Sequence, residues 1–276
     1  MLKRLQIYLR ILRFNSTITK NSHNIIPEDS SQQWTLEQSQ IDNIVKSVPS
    51  LVNVSTDIWQ KAHSIFTEYG FKTKSFTQIV AEHPKVLTRP TAKISDSLEF
   101  WRGCQFGENR VENLILRYPE LLEISNNRKI LSQIHALKSL VHTSKNVWTL
   151  LMNSPNLIHE NIKTIEAKFN YMHDIMRLEI PEIVKSQAFS YTLDDIKTRH
   201  VFLERLGIFK PRSPKAPPGE ISKNPRLHQI MDSTESQFAT KVGLVTLAEF
   251  EAFKELFKRE LNRERNKRSD ESDEDE

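Results

Sequence analysis

The sequence predicts an all-α helical-repeat solenoid, of either hand, built from three-helix units of about 35 residues and followed by a C-terminal helical extension. Three observations carry this. Pro49, Pro84, Pro119 and Pro155 are separated by 35, 35 and 36 residues. Each has an apolar pair five and four residues before it (Ile44-Val45, Ile79-Val80, Leu114-Ile115, Leu150-Leu151) and another two and three residues after it (Leu51-Val52, Val86-Leu87, Leu121-Leu122, Leu157-Ile158). No run shows the alternating polarity of a half-buried strand.

The elements follow in chain order. Residues 1–27 hold five bases and no acid, with Leu2, Leu5, Leu9 and Leu12 at helical spacing; this predicts a mitochondrial transit peptide. Residues 28–209 are the expected solenoid, in which Trp34 to Val48 ends an incomplete first unit. Within each unit the apolar pair before the proline closes a buried helix, because proline cannot donate the hydrogen bond that would continue it. Proline then opens a short helix with its φ already set. A longer helix follows, as at Ile58–Tyr69, with Ile58, Ala62, Ile65 and Phe66 on one side, and at Ile130–Val141, with Ile130, Ile134, Leu137 and Val141 on one side. Ser75-Phe-Thr-Gln78 resembles a capping box for the helix that reaches the next proline. A fifth unit is degenerate: Ile183-Val184 supplies its apolar pair, but Ala188 stands in the proline slot, as in an atypical terminal repeat.

Residues 210–224, with Pro211, Pro214, Pro217 and Pro218, read as a semi-rigid linker. Residues 225–268 read as docking helices. The first carries Leu227, Ile230 and Met231. The second opens on the capping box Thr246-Leu-Ala-Glu249 and places Leu247, Phe250, Phe253, Phe257 and Leu261 on one face. That stripe either caps the last repeat or, in Leu247, Phe250, Phe253 and Phe257, is left for a protein partner. From Lys258 onward the charge density predicts disorder, ending in an acidic tail at 269–276 that holds six acids and no base.

Composition excludes several classes. Only 6 glycines occur, in no phosphate-cradling motif, and no stretch is apolar enough for a membrane span. The single Cys104 has no companion for a disulfide or a Cys-rich metal site, and none of the nine histidines falls in H-E-x-x-H; His135 and His142, seven apart, lack acidic or thiolate partners. Asp194-Asp195 suits the start of a helix better than acid–base work. No catalytic residue, metal site or cofactor is predicted. A phosphate-binding surface, by contrast, needs cations in rows. Arg89, Arg110, Arg117, Arg128, Lys129, Lys163 and Arg199 recur near unit boundaries, with Lys85, Arg102, Lys168, Lys197 and Arg205 as secondary candidates.

The proline phase, set between an apolar pair and P-x-[LV]-[LVI], resembles the mitochondrial transcription termination factor (mTERF) family over about residues 34–209. Glu182-Ile-Val-Lys-Ser186 and Ile196–Gly207 are most similar to the fourth metazoan branch of that family. The resemblance implies a half-ring of stacked units in the mitochondrial matrix. It further implies an adaptor without chemistry of its own, which binds rRNA and brings a Sun-domain 5-methylcytosine rRNA methyltransferase to the large mitochondrial ribosomal subunit. Other branches imply a second possibility, a double-stranded-DNA-binding regulator or terminator of transcription. A purely protein-binding assembly scaffold is a third.

Overall fold

The computed structural model describes residues 36–107, 109–125, 127–211 and 223–273, with side chains as far as Lys267. The predicted transit peptide, most of the linker and residues 274–276 lie outside the described residues. Every element among the described residues is helical, and none is a strand.

Four units share one plan. In the first, α1 (Gln38–Ser47) passes through the 3-10 turn Pro49–Leu51 into α2 (Thr56–Glu68). The second is α3 (Thr73–Glu82), Pro84–Thr88 and α4 (Thr91–Gly103); the third is α5 (Arg110–Arg117), Pro119–Glu123 and α6 (Arg128–Val141). The fourth is α7 (Ser144–Asn153), Pro155–Ile158 and α8 (Ile162–Asn170), which runs on into a π-helical turn, Tyr171–Ile175.

All four prolines open their 3-10 turn, where the missing N–H is no loss. The residue before each is driven out of the helical region to one shared conformation: Val48, His83, Tyr118 and Ser154 have φ of −129, −134, −133 and −144° with ψ of 78, 70, 71 and 73°. Local sterics therefore set the same bend four times, and repetition of that bend is what stacks the units. The odd-numbered helices pack in one row, α1 on α3, α3 on α5 and α5 on α7; the even-numbered helices form a second, with α2 on α4, α6 on α8 and α8 on the helix Leu193–Arg205, α10 in chain order.

The even-numbered helices also share their stop. Gly70, Gln105, His142, Arg177 and Gly207 follow α2, α4, α6, α8 and α10, each with φ between 55 and 83°. A left-handed residue there turns the last N–H groups back onto orphan carbonyls. After Gly70, for instance, Phe71 N–H donates to the Phe66 carbonyl across 3.0 Å and the Phe71 ring is buried.

Unit five, α9 (Ile180–Ile183), the turn Ala188–Ser190 and α10 (Leu193–Arg205), is not terminal. A shortened sixth unit comes after it, made of α11 (Leu227–Met231), which packs on α9, and α12 (Glu235–Gln237), which continues into a π-helical turn, Phe238–Val242, and stops at Leu244 with φ of 56°. The linker's ends meet: Lys210 N–H donates to Asn224 Oδ1 at 2.9 Å and Asn224 Nδ2 donates back to the Lys210 carbonyl at 2.7 Å.

Last comes α13 (Leu247–Asp273), opened by the predicted capping box, with Thr246 N–H on Glu249 Oε2 at 2.8 Å and Glu249 N–H on Thr246 Oγ1 at 3.3 Å. It packs on α10 and on the Phe238–Val242 turn.

Five expectations need correction. The Ser75–Gln78 box does not cap α3, which begins at Thr73; the carboxylate of Glu112, from α5, accepts the Lys72 N–H at 3.0 Å and satisfies that helix start from the neighbouring unit. In α2 the buried position belongs to Trp59, while Ile58 is exposed. Val52 is exposed as well, unlike its counterparts in later units; among the described residues no earlier pair packs against unit one. Unit five has a successor, the pair α11 and α12, and does not end the stack. Finally, α13 runs through the segment read as disordered, because its Lys, Arg and Glu are good helix formers and two surface ion pairs, Arg205–Glu260 and Arg265–Asp194, tie it to α10.

Candidate nucleic-acid interface

Each proline turn joins the end of an odd-numbered helix to the start of an even-numbered one, so these ends share an edge of their unit. On that edge, units three and four hold four exposed cations: Arg117 at the end of α5, Arg128 and Lys129 at the start of α6, and Lys163 at the start of α8. The two helix starts are built alike. Asn127 Oδ1 accepts the Lys129 N–H at 3.0 Å, and Asn161 Oδ1 accepts the Lys163 N–H at 2.9 Å. Packing of α6 on α8 brings the two helices side by side.

Positive charge in a first helical turn opposes the helix dipole, at a local cost of about 0.3–1 kcal/mol. Other helix starts divide: α2 begins with Asp57, and α10 (Leu193–Arg205) with Asp194 and Asp195, the latter in a capping box with Thr192, whereas α3, α4 and α7 also lack a first-turn acid and carry Lys74, Lys93 and Lys145 there. α6 and α8 have no acid in their first turn. Of the acids on this edge, Glu160 pairs with Lys168 and Glu123 lies 3.5 Å from His83, while Glu120 follows Pro119 in the same turn. The free N–H groups of a helix start and the adjacent cations together present what an anionic oxygen requires.

The remaining candidates are placed differently. Arg89 is turned inward, its guanidinium donating to the carbonyls of Leu122 and Glu123 in the next proline turn. Arg110 lies at the opposite edge, donating to the Phe106 carbonyl at 2.6 Å with its guanidinium 5.7 Å from the Trp148 ring. Arg199 is only 6% exposed, sits between the Tyr191 and Phe238 rings, and donates to the carbonyls of Ile230 and Ser233. Burial and carbonyl partners make it a brace between units five and six. Of the secondary set, Lys168 is buried on Glu160 and the Phe189 carbonyl, and Arg205 is paired with Glu260 beside the Phe253 and Phe257 rings. Lys197 is half-buried near Tyr171, and Lys85 and Arg102 are exposed.

Sequence reasoning missed the recurrent brace itself. Ser97 and Trp101 of α4 donate to the carbonyls of Leu122 and Leu121, Gln133 of α6 to that of Leu157, Lys168 of α8 to that of Phe189, and Arg199 of α10 to that of Ile230. Carbonyls in a turn this short lack helical partners and need an outside donor. The spacing of Ser97, Gln133 and Lys168, 36 and 35 residues, is the signal that would have found it.

The proposed docking stripe is mostly interior. Phe250 (1% exposed) and Phe257 are buried, Phe250 against Phe202 and Phe238, while Leu247 and Phe253 are half-buried. The exposed apolar residues of this region are instead Leu206, Leu244 and Leu256. Cys104 is buried and its thiol is pushed up to about 11, so thiolate chemistry is suppressed. Both histidines considered for metal are exposed, and His142 supplies the left-handed stop of α6. No group of three or more His, Cys, Asp or Glu among the described residues could hold a metal ion, and no described helix is long and apolar enough to cross a membrane.

Stacked helix–turn–helix units with cations at successive helix starts define a helical-repeat protein with a basic edge. The mTERF family profile matches residues 53–239, which takes in the sixth unit, and the chain belongs to that family. It is similar to the mouse protein "Transcription termination factor 4, mitochondrial", 24% identical over 193 residues, which is 69% of this chain and 55% of that one. It is also similar to mouse "Transcription termination factor 1b, mitochondrial" and "1a, mitochondrial", 22% identical over 135 residues, which is 49% of this chain and 36% of each. The chain thus spans about half the length of the first relative, and less of the other two.

Proposed function

We propose that this chain is a mitochondrial matrix adaptor that binds rRNA along the edge carrying Arg117, Arg128, Lys129 and Lys163, has no active centre, and recruits a Sun-domain 5-methylcytosine methyltransferase to the large ribosomal subunit. The observation that supports phosphate binding is the pair of dipole-opposing helix starts, α6 and α8. Rows of cations on repeated helices suit backbone and shape contacts, which is how structured RNA is held. The rRNA reading leans on the resemblance of Glu182–Ser186 and Ile196–Gly207 to the fourth branch of the family. The names of all three relatives favour the second reading, a mitochondrial DNA-binding regulator of transcription.

Crosslinking in mitochondria, followed by sequencing of the attached nucleic acid and identification of co-purified protein, separates the two. Large-subunit rRNA together with a methyltransferase supports the adaptor; promoter or terminator DNA supports the regulator. In vitro, R128Q/K129Q/K163Q is expected to weaken RNA binding and lower the salt slope by roughly one for each cation that meets a phosphate. Its melting temperature is expected to hold or rise, since three unfavourable dipole contacts are removed. An unchanged slope rejects this edge.

A further inference from the structure

The last helix outlasts its own packing. As far as Lys267, the last described side chain, the final buried residue of α13 is Leu261, and Asn262–Lys267 are all exposed. The docked face, with Phe250, Phe253, Phe257 and Leu261, is directed at α10 and the Phe238–Val242 turn. At roughly 100° per residue, the opposite face is made by Leu256, Arg259, Asn262 and Arg263, with Lys267 at its margin. Glu255 lies within it, and Glu251 at the margin opposite Lys267.

The helix's other charges are arranged so that this face stays basic. Glu260 is directed back to Arg205 in a two-pronged pair, with oxygens at 3.1 and 2.6 Å from its guanidinium nitrogens, although it also feels the charge of Arg263. Glu249 is occupied by the helix cap, and Arg265, on the docked side, pairs with Asp194. Arg259 and Lys267 make no ion pair among the described residues. A helix stretch that is polar all round gains nothing from packing and needs either many internal pairs or an external partner.

Leu256 selects the kind of partner. It is 57% exposed in the same stripe as Arg259 and Arg263. An apolar side chain among arginines has nothing to contact on a duplex backbone, but it can rest on an unstacked base, and arginine planes can stack on one too. Asn262 adds a donor and an acceptor for a base edge. A helix is about 10–12 Å across, which the deep groove of regular A-form RNA does not admit; a bulge or internal loop opens that groove and also displays free bases.

We propose that the outward face of α13, centred on Leu256, Arg259, Arg263 and Lys267, is a second RNA-binding element that seats in a bulged or looped RNA stem, separate from the edge formed by α6 and α8. The acidic run from Asp270 begins less than one turn beyond Lys267 and ends the basic stretch.

The test compares R259Q/R263Q/K267Q and L256S with the full-length protein, using a synthetic RNA stem with an internal loop, the same stem fully paired, and duplex DNA of equal length. All four residues are exposed, so circular dichroism and melting temperature should not move. The triple variant is expected to lose tenfold or more in affinity for the looped stem and two to three in salt slope. L256S is expected to lose affinity for the looped stem only. R128Q/K129Q/K163Q, assayed in parallel, reports on the other edge, so either surface can fail without the other. Unchanged binding of the looped stem by the triple variant overturns the proposal. So does equal loss on all three nucleic acids, which would leave only diffuse charge, and so does loss of a co-purified protein with RNA binding intact, which would make this a protein-docking face.

Discussion

The four proline-marked units share one bend that the two units beyond them do not reproduce: before Ala188, Gln187 has φ of −87° and ψ of 16°. In units one to four the bend is local: proline fixes φ, excludes its predecessor from the helix, and four predecessors adopt nearly one conformation. Ala188 imposes no such restriction on unit five, and unit six has no 3-10 turn at the corresponding place. There the turn is held from outside. The brace on the proline turns is neutral, from Ser97, Trp101 and Gln133, apart from the partly exposed Arg89; on the turns without proline it is a buried cation, Lys168 on Phe189 and Arg199 on Ile230 and Ser233. A charge-assisted hydrogen bond is roughly twice as strong as a neutral one. Where the backbone no longer dictates the turn, a stronger long-range contact does.

If that contrast holds, the C-terminal region depends on tertiary contacts more than the proline units do, and the largest effect should come from removing its cover. F250S/F257S takes two buried rings from the contact with Phe202, Phe238 and Phe253. Each loss of a buried phenylalanine costs about 3–5 kcal/mol, more than a lone surface helix supplies. The variant is expected to lose α13 as a protease-resistant element and to show an early melting phase in calorimetry. Full retention of both would return the stripe to the role of a docking surface.

A smaller and more local effect is expected from R199M. Methionine replaces the stem but leaves the Ser233 carbonyl without its Arg199 donor, the Ile230 carbonyl with only the Ser233 hydroxyl, and Asp232 without its cationic neighbour. Removing one member of such a buried group costs about 3–5 kcal/mol. Denaturant unfolding should show it in full, whereas Q133L, the equivalent cut in a proline unit, should cost only about 1–2 kcal/mol. Equal losses would mean that proline contributes nothing to holding the turn.

The same contrast separates what is legible in the sequence from what is not. Apolar spacing identifies the buried residues of α6 and α11 and the turns of four units, because proline sterics and helical period act over a few residues. The capping box at Thr246 is equally local. Arg199 and Lys168 look like surface cations in the sequence because their partners are carbonyls 31 and 21 residues away, and nothing near either residue announces an unpaired oxygen. The aromatic stripe of α13 is recognisable as apolar, but whether chain or partner covers it depends on where the linker returns, which Asn224 decides by pairing with Lys210. Arg128, Lys129 and Lys163 do not stand out from the other cations in the sequence, since Lys74, Lys93 and Lys145 also fall in first helical turns without an acid; the fold separates them, because α3 and α7 start at the opposite edge and Lys93 pairs with Asp96.

The finest test of the contrast is titration, because unit five carries a neutral-holding histidine and its border with unit six a proton-holding aspartate. His200 is fully buried and hydrogen-bonded to Tyr171 at 2.8 Å; burial pushes it down to about 4. The unfolded chain therefore takes up a proton near pH 6.5 that the native state refuses, and stability falls as pH drops from 6.5 toward 4. Asp232 behaves oppositely. Burial raises it to about 6, against a partial lowering by the Gln187 N–H and Arg199, so its native-state penalty is complete above pH 6 and is relieved as pH falls toward 3.8. Each effect amounts to at most about 3 kcal/mol, and between pH 6 and 4 they largely cancel. D232N removes the relief while leaving an amide oxygen for Gln187. Relative to the native sequence it is expected to lose ground as pH falls from 7 to 4, by up to about 3 kcal/mol. Parallel stability curves for the two proteins would show that Asp232 is ionised normally in the fold, and that the border between units five and six does not hold a buried proton.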